Sequence, residues 1–150
     1  TLNLLNHLTL NTIIPNTSLC SKFLGVRLDF NLKWDSHINM LAKHVNSAAF
    51  ALRCLSTFAS RETLRLGYNG IFESKISYFI IFWDFYSANF FNRIFRIQKR
   101  AMRIVWGLDR RDSCRELFRS SGTLTLASLL VYHTVIFVFK NKHMFSVLKH

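Results

Sequence analysis

A row of arginines recurs at helical spacing in the stretch NFFNRIFRIQKRAMRIVW. Its members lie three, four and three residues apart, and Lys99 lies at the edge of the row; they are Arg93, Arg96, Arg100 and Arg103. At 3.6 residues per turn this spacing places all four on one face of a helix. A guanidinium group binds phosphate oxygens through two parallel hydrogen bonds, so this arginine row predicts a phosphate-binding helix face. Apolar residues of the same segment, among them Ile94 and Val105, are predicted to form its buried side.

The arginine row belongs to a larger excess of positive charge. The chain has 150 residues and a formal net charge of +12, and residues 93–119 carry half of that excess, with nine Lys+Arg against three Asp+Glu. Arg110 and Arg111 extend the predicted phosphate-binding surface beyond the helix. The whole chain has only eight carboxylates, too few to pair with most of its cations, and this favours a polyanionic partner. The alternative is a solvated face whose arginines pair with carboxylates elsewhere in the fold.

Residue types for catalysis or metal binding are not grouped in this sequence. No Asp-Asp dipeptide, phosphate-binding GxxxxGKS or GxxxxGKT loop, or GxSxG elbow occurs. His37 and His44 could share a helix face, but a third ligand at helical spacing is missing. The cysteines, Cys20, Cys54 and Cys114, form no CxxC pair, which favours a reducing, intracellular setting. We therefore expect no catalytic residue, no metal ligand and no cofactor in this chain.

The hydrophobic pattern predicts a mainly α fold, in which a short N-terminal β-hairpin precedes a helical bundle of about five helices. The hairpin is predicted within residues 1–33, with strands on either side of a turn at Pro15-Asn16, and the helical region covers residues 34–150. From Ser36 the period becomes helical, and one apolar face of this first helix includes Ile38, Leu41, Val45 and Leu52.

Capping residues and glycines predict the limits of the middle helices. Ser60 is a suitable N-cap for a second helix that continues through the following apolar stretch to Trp83. Gly67 lies inside that helix, where a glycine often permits close packing against a neighbouring element. Gly107 is a suitable C-cap for the third helix, which begins at Ser87 and carries the arginine row.

The last third of the chain predicts two further helices. Ser113 and Glu116 have the spacing of a capping box for a short helix that ends at Gly122. The final helix, from about Thr125 to Lys142, is apolar on most sides and is therefore predicted to be buried. The longest apolar runs of the chain are shorter than the ~20 residues that a membrane span needs, so we expect no membrane partner.

Six segments that extend from about Ser21 to Lys142 form an ordered set. They are KFLGVRLDFNLKWDSHI, ALRCLS, SRETLRLGYNGIFESKISY, RIFRIQKRAMRIVWGL, SCRELFRSSGTLTLASLLVY and FVFKNKH. Taken in this order, they resemble the C-terminal part of a non-LTR (LINE-type, jockey-like) retrotransposon reverse transcriptase. The order and spacing of the six segments together, rather than any one of them, make the similarity specific.

The resemblance implies a structural role for each part of the chain. Residues 1–33 would be the end of the palm and the primer grip, a hairpin that holds the primer end, with Lys22, Phe23, Leu24 and Gly25 in the grip. Residues 34–150 would be a thumb-like region that clamps the template–primer duplex, with the arginine row facing the nucleic-acid backbone. The parent would be an RNA-directed DNA polymerase, a nucleotidyltransferase that uses Mg held by carboxylates outside this sequence. This fragment alone is expected to be inactive.

The resemblance also implies partners and a location. The partners would be RNA and DNA, as a template–primer duplex, and the upstream palm and fingers of the same polyprotein. The location would be intracellular, in a retroelement ribonucleoprotein of the cytoplasm and nucleus. From the residues alone, an independent, non-enzymatic, basic helical module that binds nucleic acid is the alternative. A protein that binds an anionic membrane surface through basic amphipathic helices is a third class.

Overall fold

The computed structural model describes residues 20–23, 26–29, 35–78, 80–83 and 88–145, and this part of the chain is mainly helical. Residues up to His37 and residues from Ile38 onward form two separate units. The prediction of a mainly α fold with about five helices is confirmed for the described residues, in which five α-helices have seven or more residues and three further ones have four. The elements are β1 Cys20–Phe23, β2 Val26–Asp29, α1 Asp35–Leu55, α2 Arg61–Gly67, a π-helical segment Tyr68–Glu73, α3 Ser74–Ser77, α4 Ile80–Trp83, α5 Ala88–Trp106, α6 Arg115–Ser121, α7 Leu126–Lys140 and α8 Lys142–Phe145.

The predicted N-terminal β-hairpin is not supported in its predicted form. Its turn at Pro15-Asn16 and its first strand lie outside the described residues. The stretch predicted as its second strand, KFLGVRLDF at residues 22–30, overlaps both short strands, β1 and β2, which pair antiparallel with Cys20 opposite Asp29. A physical reason lies in the sequence, because Gly25 interrupts the run of β-forming residues and so divides it into two shorter segments.

The apolar face predicted for α1 is confirmed. Ile38, Leu41, Val45 and Leu52 are all buried, and they lie on the side of the helix that faces the core. Gly67, at the end of α2, comes close to this face, because a Cβ atom built on it would lie 3.3 Å from Leu52 Cδ2. A Cβ atom at position 67 would therefore crowd the Leu52 side chain, which would have to shift by a few tenths of an ångström, and this close approach favours a glycine here despite its entropic cost.

The second predicted helix begins as expected but does not continue to Trp83 as one helix. Ser60 is the N-cap of α2, and its hydroxyl accepts a hydrogen bond from the Thr63 amide at 3.3 Å. The helix then passes through the π-helical segment, and at Tyr78 the backbone becomes extended, with ψ at 116°. The buried side chains here recur every four residues: Leu64, Tyr68, Phe72, Ile76 and Ile80. An α-helix has 3.6 residues per turn, so a run with this longer period cannot stay on one line without local unwinding.

Two glycines end helices as predicted, whereas the predicted capping box is wrong. Gly107 and Gly122 both have positive φ, near +66°, the left-handed conformation that glycine adopts at helix C-termini. The N-cap of α6 is Cys114 and not Ser113, whose hydroxyl instead accepts from the Arg115 amide at 3.3 Å. Cys114 is buried and its thiol donates to the Lys99 carbonyl at 3.5 Å, so this long-range contact shifts the start of α6 by one residue.

The last long helix, α7, is less buried than predicted. Leu126 and Leu129 are buried, but Val131, Val135 and Phe139 are 60–77% exposed. The prediction of a buried helix is therefore wrong for this face, because the described part of the chain supplies only one packing surface for it.

Among the described residues, no single helix is long and apolar enough to cross a membrane. Taken together, α6 and α7 meet that test by length and composition alone, but the pair is bent by 43° at its junction.

A buried glutamine on α5 connects three parts of the fold. Gln98 has no exposed surface, and its side-chain nitrogen donates to the Tyr68 hydroxyl at 3.0 Å and to the Leu124 carbonyl at 2.9 Å. Its side-chain oxygen accepts from the Leu126 amide at 2.8 Å, at the first turn of α7. One amide group thus joins α5 to the π-helical segment and to the N-terminus of α7.

Replacement of Gln98 by methionine tests this connection. Methionine has a similar length but no hydrogen-bonding amide, so the buried Leu126 amide and the part-buried Leu124 carbonyl both lose their partner. We expect the free energy of unfolding to fall by about 2–4 kcal/mol, measured by urea or thermal denaturation. Tyr68→Phe should cost about 1 kcal/mol, and the double variant less than the sum. Asn92→Ala, at an exposed position of α5, is the control, and a loss for Gln98→Met no larger than the control's would contradict the role.

Glu73, at the end of the π-helical segment, makes stability depend on pH in a defined direction. Burial raises the pKa of its carboxyl group. An acid whose pKa is raised by folding stabilises the folded state below its unfolded-state pKa, and that contribution is lost as the pH rises through the folded-state pKa. We therefore expect Glu73→Gln to raise the melting temperature at about pH 7, and the gain to disappear near pH 4. Glu62→Gln, in the exposed first turn of α2, should give no such gain, and a pH-independent effect of Glu73→Gln would contradict the explanation.

Candidate nucleic-acid interface

The arginine row lies on the face of α5 that points away from the core. Arg93, Arg96 and Arg100 are exposed, and Arg103 is half-buried. At about 100° per residue, the four guanidinium-bearing positions span only about 80° of the helix circumference. The opposite face is buried, as predicted for Ile94 and Val105, and its other buried members are Ile97, Gln98, Ala101 and Met102. The predicted division of this helix into a basic face and an apolar face is therefore confirmed.

Two arginines of the row are held by asparagines of α1. Arg93 Nη1 donates to Asn39 Oδ1 at 2.7 Å, and Arg100 Nη2 donates to Asn46 Oδ1 at 2.5 Å. Both pairs are seven residues apart along their helices, in the same direction, so α1 and α5 run parallel where they meet. Because an asparagine amide is neutral, these hydrogen bonds orient the guanidinium groups without neutralising their charge.

Carboxylates of the described residues do not neutralise the row. Among the nine cations of residues 93–119, only Arg119 forms an ion pair with a described residue, Glu116, at 3.4 Å. Both side chains of that pair are mostly exposed, so the interaction contributes little. Arg96, in the middle of the row, has no hydrogen-bond or ion-pair partner among the described residues. The row therefore presents uncompensated positive charge to solvent.

The C-terminal part of the row contacts the loop between α5 and α6. Arg103 Nε donates to the Asp112 carbonyl of this loop at 2.9 Å. Within α5, the Lys99 ammonium group lies 4.8 Å from the centre of the Phe95 ring. The Asp112 carboxylate accepts from the Asp109 amide at 2.8 Å and so closes the turn that contains Arg110. Arg103 thus holds the loop as well as carrying charge, a role that helical spacing alone could not predict.

Cys114 attaches the end of the same loop to α5 through the hydrogen bond to Lys99 described above. Burial raises the pKa of its thiol, and the nearby Arg103 and Lys99 partly oppose that shift. The thiol is therefore protonated at neutral pH and serves as a hydrogen-bond donor.

A cleft of about 700 Å³ opens beside the C-terminal half of α5, and sequence reasoning missed it. Five cations line it: Lys99, Arg103, Arg111, Arg115 and Arg119. One acidic residue, Asp112, also lines the cleft. We call this feature the basic cleft. A sequence signal for it exists, because Arg111, Arg115 and Arg119 recur every four residues, but only the fold shows that they face α5. Arg110 is exposed and is not among the lining residues.

The predicted primer-grip residues lie in the N-terminal unit. Lys22 and Phe23 belong to β1, where they pair with Arg27 and Val26 of β2. Leu24 and Gly25 lie outside the described residues. The structure therefore places two of the four in a strand.

The residues that the structure describes contain no group of three or more His, Cys, Asp or Glu side chains that could hold a metal ion. Comparison with known proteins finds no matching family model, no similar curated protein and no similar solved structure.

The arginine row attaches a loop through Arg103 and presents charge through Arg96, and the effects of substitutions on stability distinguish these two roles. Arg103→Gln should lower the free energy of unfolding by about 1 kcal/mol, because the Asp112 carbonyl loses its donor and the loop loosens. Arg96→Gln removes the same charge from the same helix but breaks no described contact, so its effect should stay within about 0.5 kcal/mol. Urea denaturation of the two variants measures the difference. Equal effects would contradict a structural role for Arg103.

Proposed function

We propose that this chain binds the sugar–phosphate backbone of an RNA–DNA duplex, as the thumb-like part of a non-LTR retrotransposon reverse transcriptase. The observation that carries the proposal is the exposed arginine row of α5, whose described partners are neutral: two asparagines and a backbone carbonyl. A surface of this kind suits a polyanion, because its guanidinium groups are oriented but not neutralised.

The length of the row suits a nucleic-acid backbone. Ten residues separate Arg93 from Arg103, which is about 15 Å along a helix. Neighbouring phosphates on one strand of a duplex are several ångströms apart, so a row of this length reaches more than one of them. Contacts of arginine to phosphate position a duplex without reading its bases, and the binding should therefore be independent of sequence.

Within this proposal, the chain contributes template–primer binding and not nucleotidyl transfer. The Mg-dependent chemistry would belong to carboxylates of the parent enzyme outside this sequence, and the upstream palm and fingers of the same polyprotein would be its partners. Lys22 and Phe23 would contribute to a primer grip. The protein would act in a ribonucleoprotein of the cytoplasm and nucleus. An independent nucleic-acid-binding module would use the same surface, and only the activity of the whole polyprotein distinguishes the two.

Replacement of three exposed arginines tests the surface. We expect Arg93→Gln/Arg96→Gln/Arg100→Gln to bind an RNA–DNA hybrid more weakly than the unmodified chain, with a shallower dependence on salt. Each lost phosphate contact lowers the log–log salt slope by roughly 0.7–0.9, so the triple variant should lose about two. Fluorescence anisotropy between about 50 and 200 mM salt measures the slope.

A charge-matched variant provides the control for this experiment. Arg61→Gln/Arg65→Gln/Lys75→Gln removes three exposed cations from α2 and α3, outside the arginine row. If the arginine row makes the phosphate contacts, the log–log salt slope of this control variant should stay close to that of the unmodified chain. Equal losses in both variants would mean that net charge alone attracts the duplex, and the proposal would fail. Tighter binding to anionic vesicles than to the hybrid would favour the membrane-surface class instead.

A further inference from the structure

The basic cleft offers a different kind of anion site from the exposed face of α5. It lies between the C-terminal half of α5, the following loop, α6 and the start of α7. The arginine row forms a ridge along a helix, whereas this feature is concave and has a volume of about 700 Å³, within the range of small-molecule sites. Lys99 and Arg103 belong to both surfaces, which makes the two continuous.

Four of the five cations of the basic cleft have no carboxylate partner among the described residues, and the fifth, Arg119, has only its exposed and weak pair with Glu116. The carboxylate of Asp112 is already bonded to the Asp109 amide, and Arg103 contacts the Asp112 carbonyl rather than its carboxylate. Arg111 and Arg115 are exposed and have no side-chain partner among the described residues. Because like charges gathered around one concavity repel each other, an anion placed there would relieve that repulsion.

The residues that line the basic cleft also determine which chemical groups can bind the anion. Two amides at the start of α7 are already bonded, that of Leu126 to Gln98 and that of Ser128 to the Thr125 hydroxyl. The guanidinium and ammonium groups of the five lining cations are the charged donors that can bind the anion. Beside them, the stacked rings of Phe95 and Phe118, with centres 6.3 Å apart, provide an apolar wall. Cations beside an apolar wall suit a nucleotide, which combines a phosphate with a base.

The charge of the basic cleft favours the end of a strand. An internal phosphodiester carries one negative charge and has only two oxygens outside the chain that can accept hydrogen bonds. A terminal phosphomonoester carries about −1.5 to −2 at neutral pH and has three oxygens free to accept from several arginines. We propose that the basic cleft binds the terminal nucleotide of a nucleic-acid strand through a phosphomonoester at its end. This inference rests on the proposed function, since the same nucleic acid would extend onto the arginine row.

The test compares strand ends that differ only in their phosphate. Short RNA–DNA hybrids are prepared with a 5′-phosphate, with a 3′-phosphate, or with hydroxyl ends, and their affinities for the full chain are measured at one salt concentration. We expect one of the two phosphorylated hybrids to bind about tenfold more tightly than the hydroxyl-ended hybrid. A tenfold gain in affinity corresponds to about one charge-assisted hydrogen bond. Arg111→Gln/Arg115→Gln should reduce this preference to about one.

A second variant separates this inference from the proposed function. Arg93→Gln/Arg96→Gln also removes two charges, but it should weaken all hybrids alike and keep the preference for the phosphorylated end. Equal affinity of the unmodified chain for all ends would overturn the inference while leaving the proposed function in place. Failure to bind any hybrid would overturn both. Loss of the preference on addition of an equimolar free nucleoside monophosphate would assign the cleft to a soluble nucleotide and overturn the strand-end inference.

Discussion

The buried amide of Gln98 is the contact on which the rest of the helical fold depends. Its three hydrogen bonds fix α5 against the π-helical segment and against the start of α7, and each would be costly to leave unmade where water is excluded. Because Gln98 must face inward to make them, the rotation of α5 about its own axis is set. The opposite face, which carries Arg93, Arg96 and Arg100, must then face solvent. A buried polar contact thereby determines where the basic surface lies.

The basic cleft depends on the same arrangement. Since Gln98 holds the Leu124 carbonyl and the Leu126 amide, the start of α7 lies beside α5, and Gly122 turns the chain from α6 into it. Arg103 and Cys114 fix the intervening loop at two further points. Cations that are distant in sequence, on the loop and on α6, are brought beside Lys99 in this way. The electrostatic repulsion that results is tolerated because the uncharged contacts of Gln98 and Cys114 are made at the same time.

The sequence predicted those features that depend on local periodicity and on local capping. The apolar face of α1, the Ser60 cap and the glycine that ends α5 follow from residues a few positions apart. The features that it did not predict depend on contacts across the chain. Cys114 replaces Ser113 as the N-cap because it contacts Lys99. The break near Tyr78 has a signal in the sequence, since apolar residues recur every four positions before it, but a prediction from α-helical spacing joins them into one helix. Gln98 was visible as a polar residue on an apolar face, yet its partners Tyr68 and Leu126 were not.

Neutral partners explain how a charged surface and a stable fold coexist in this chain. Pairing Arg93 and Arg100 with carboxylates would orient them equally well but would cancel the charge that a polyanion needs. Asn39 and Asn46 hold the same guanidinium groups and leave their charge intact, and their seven-residue spacing matches that of the arginines. The cost is mutual repulsion among cations, which a bound polyanion would remove. Binding and folding are therefore thermodynamically linked, and the complex should be more stable than the ligand-free chain by an amount that rises with the ratio of ligand concentration to Kd.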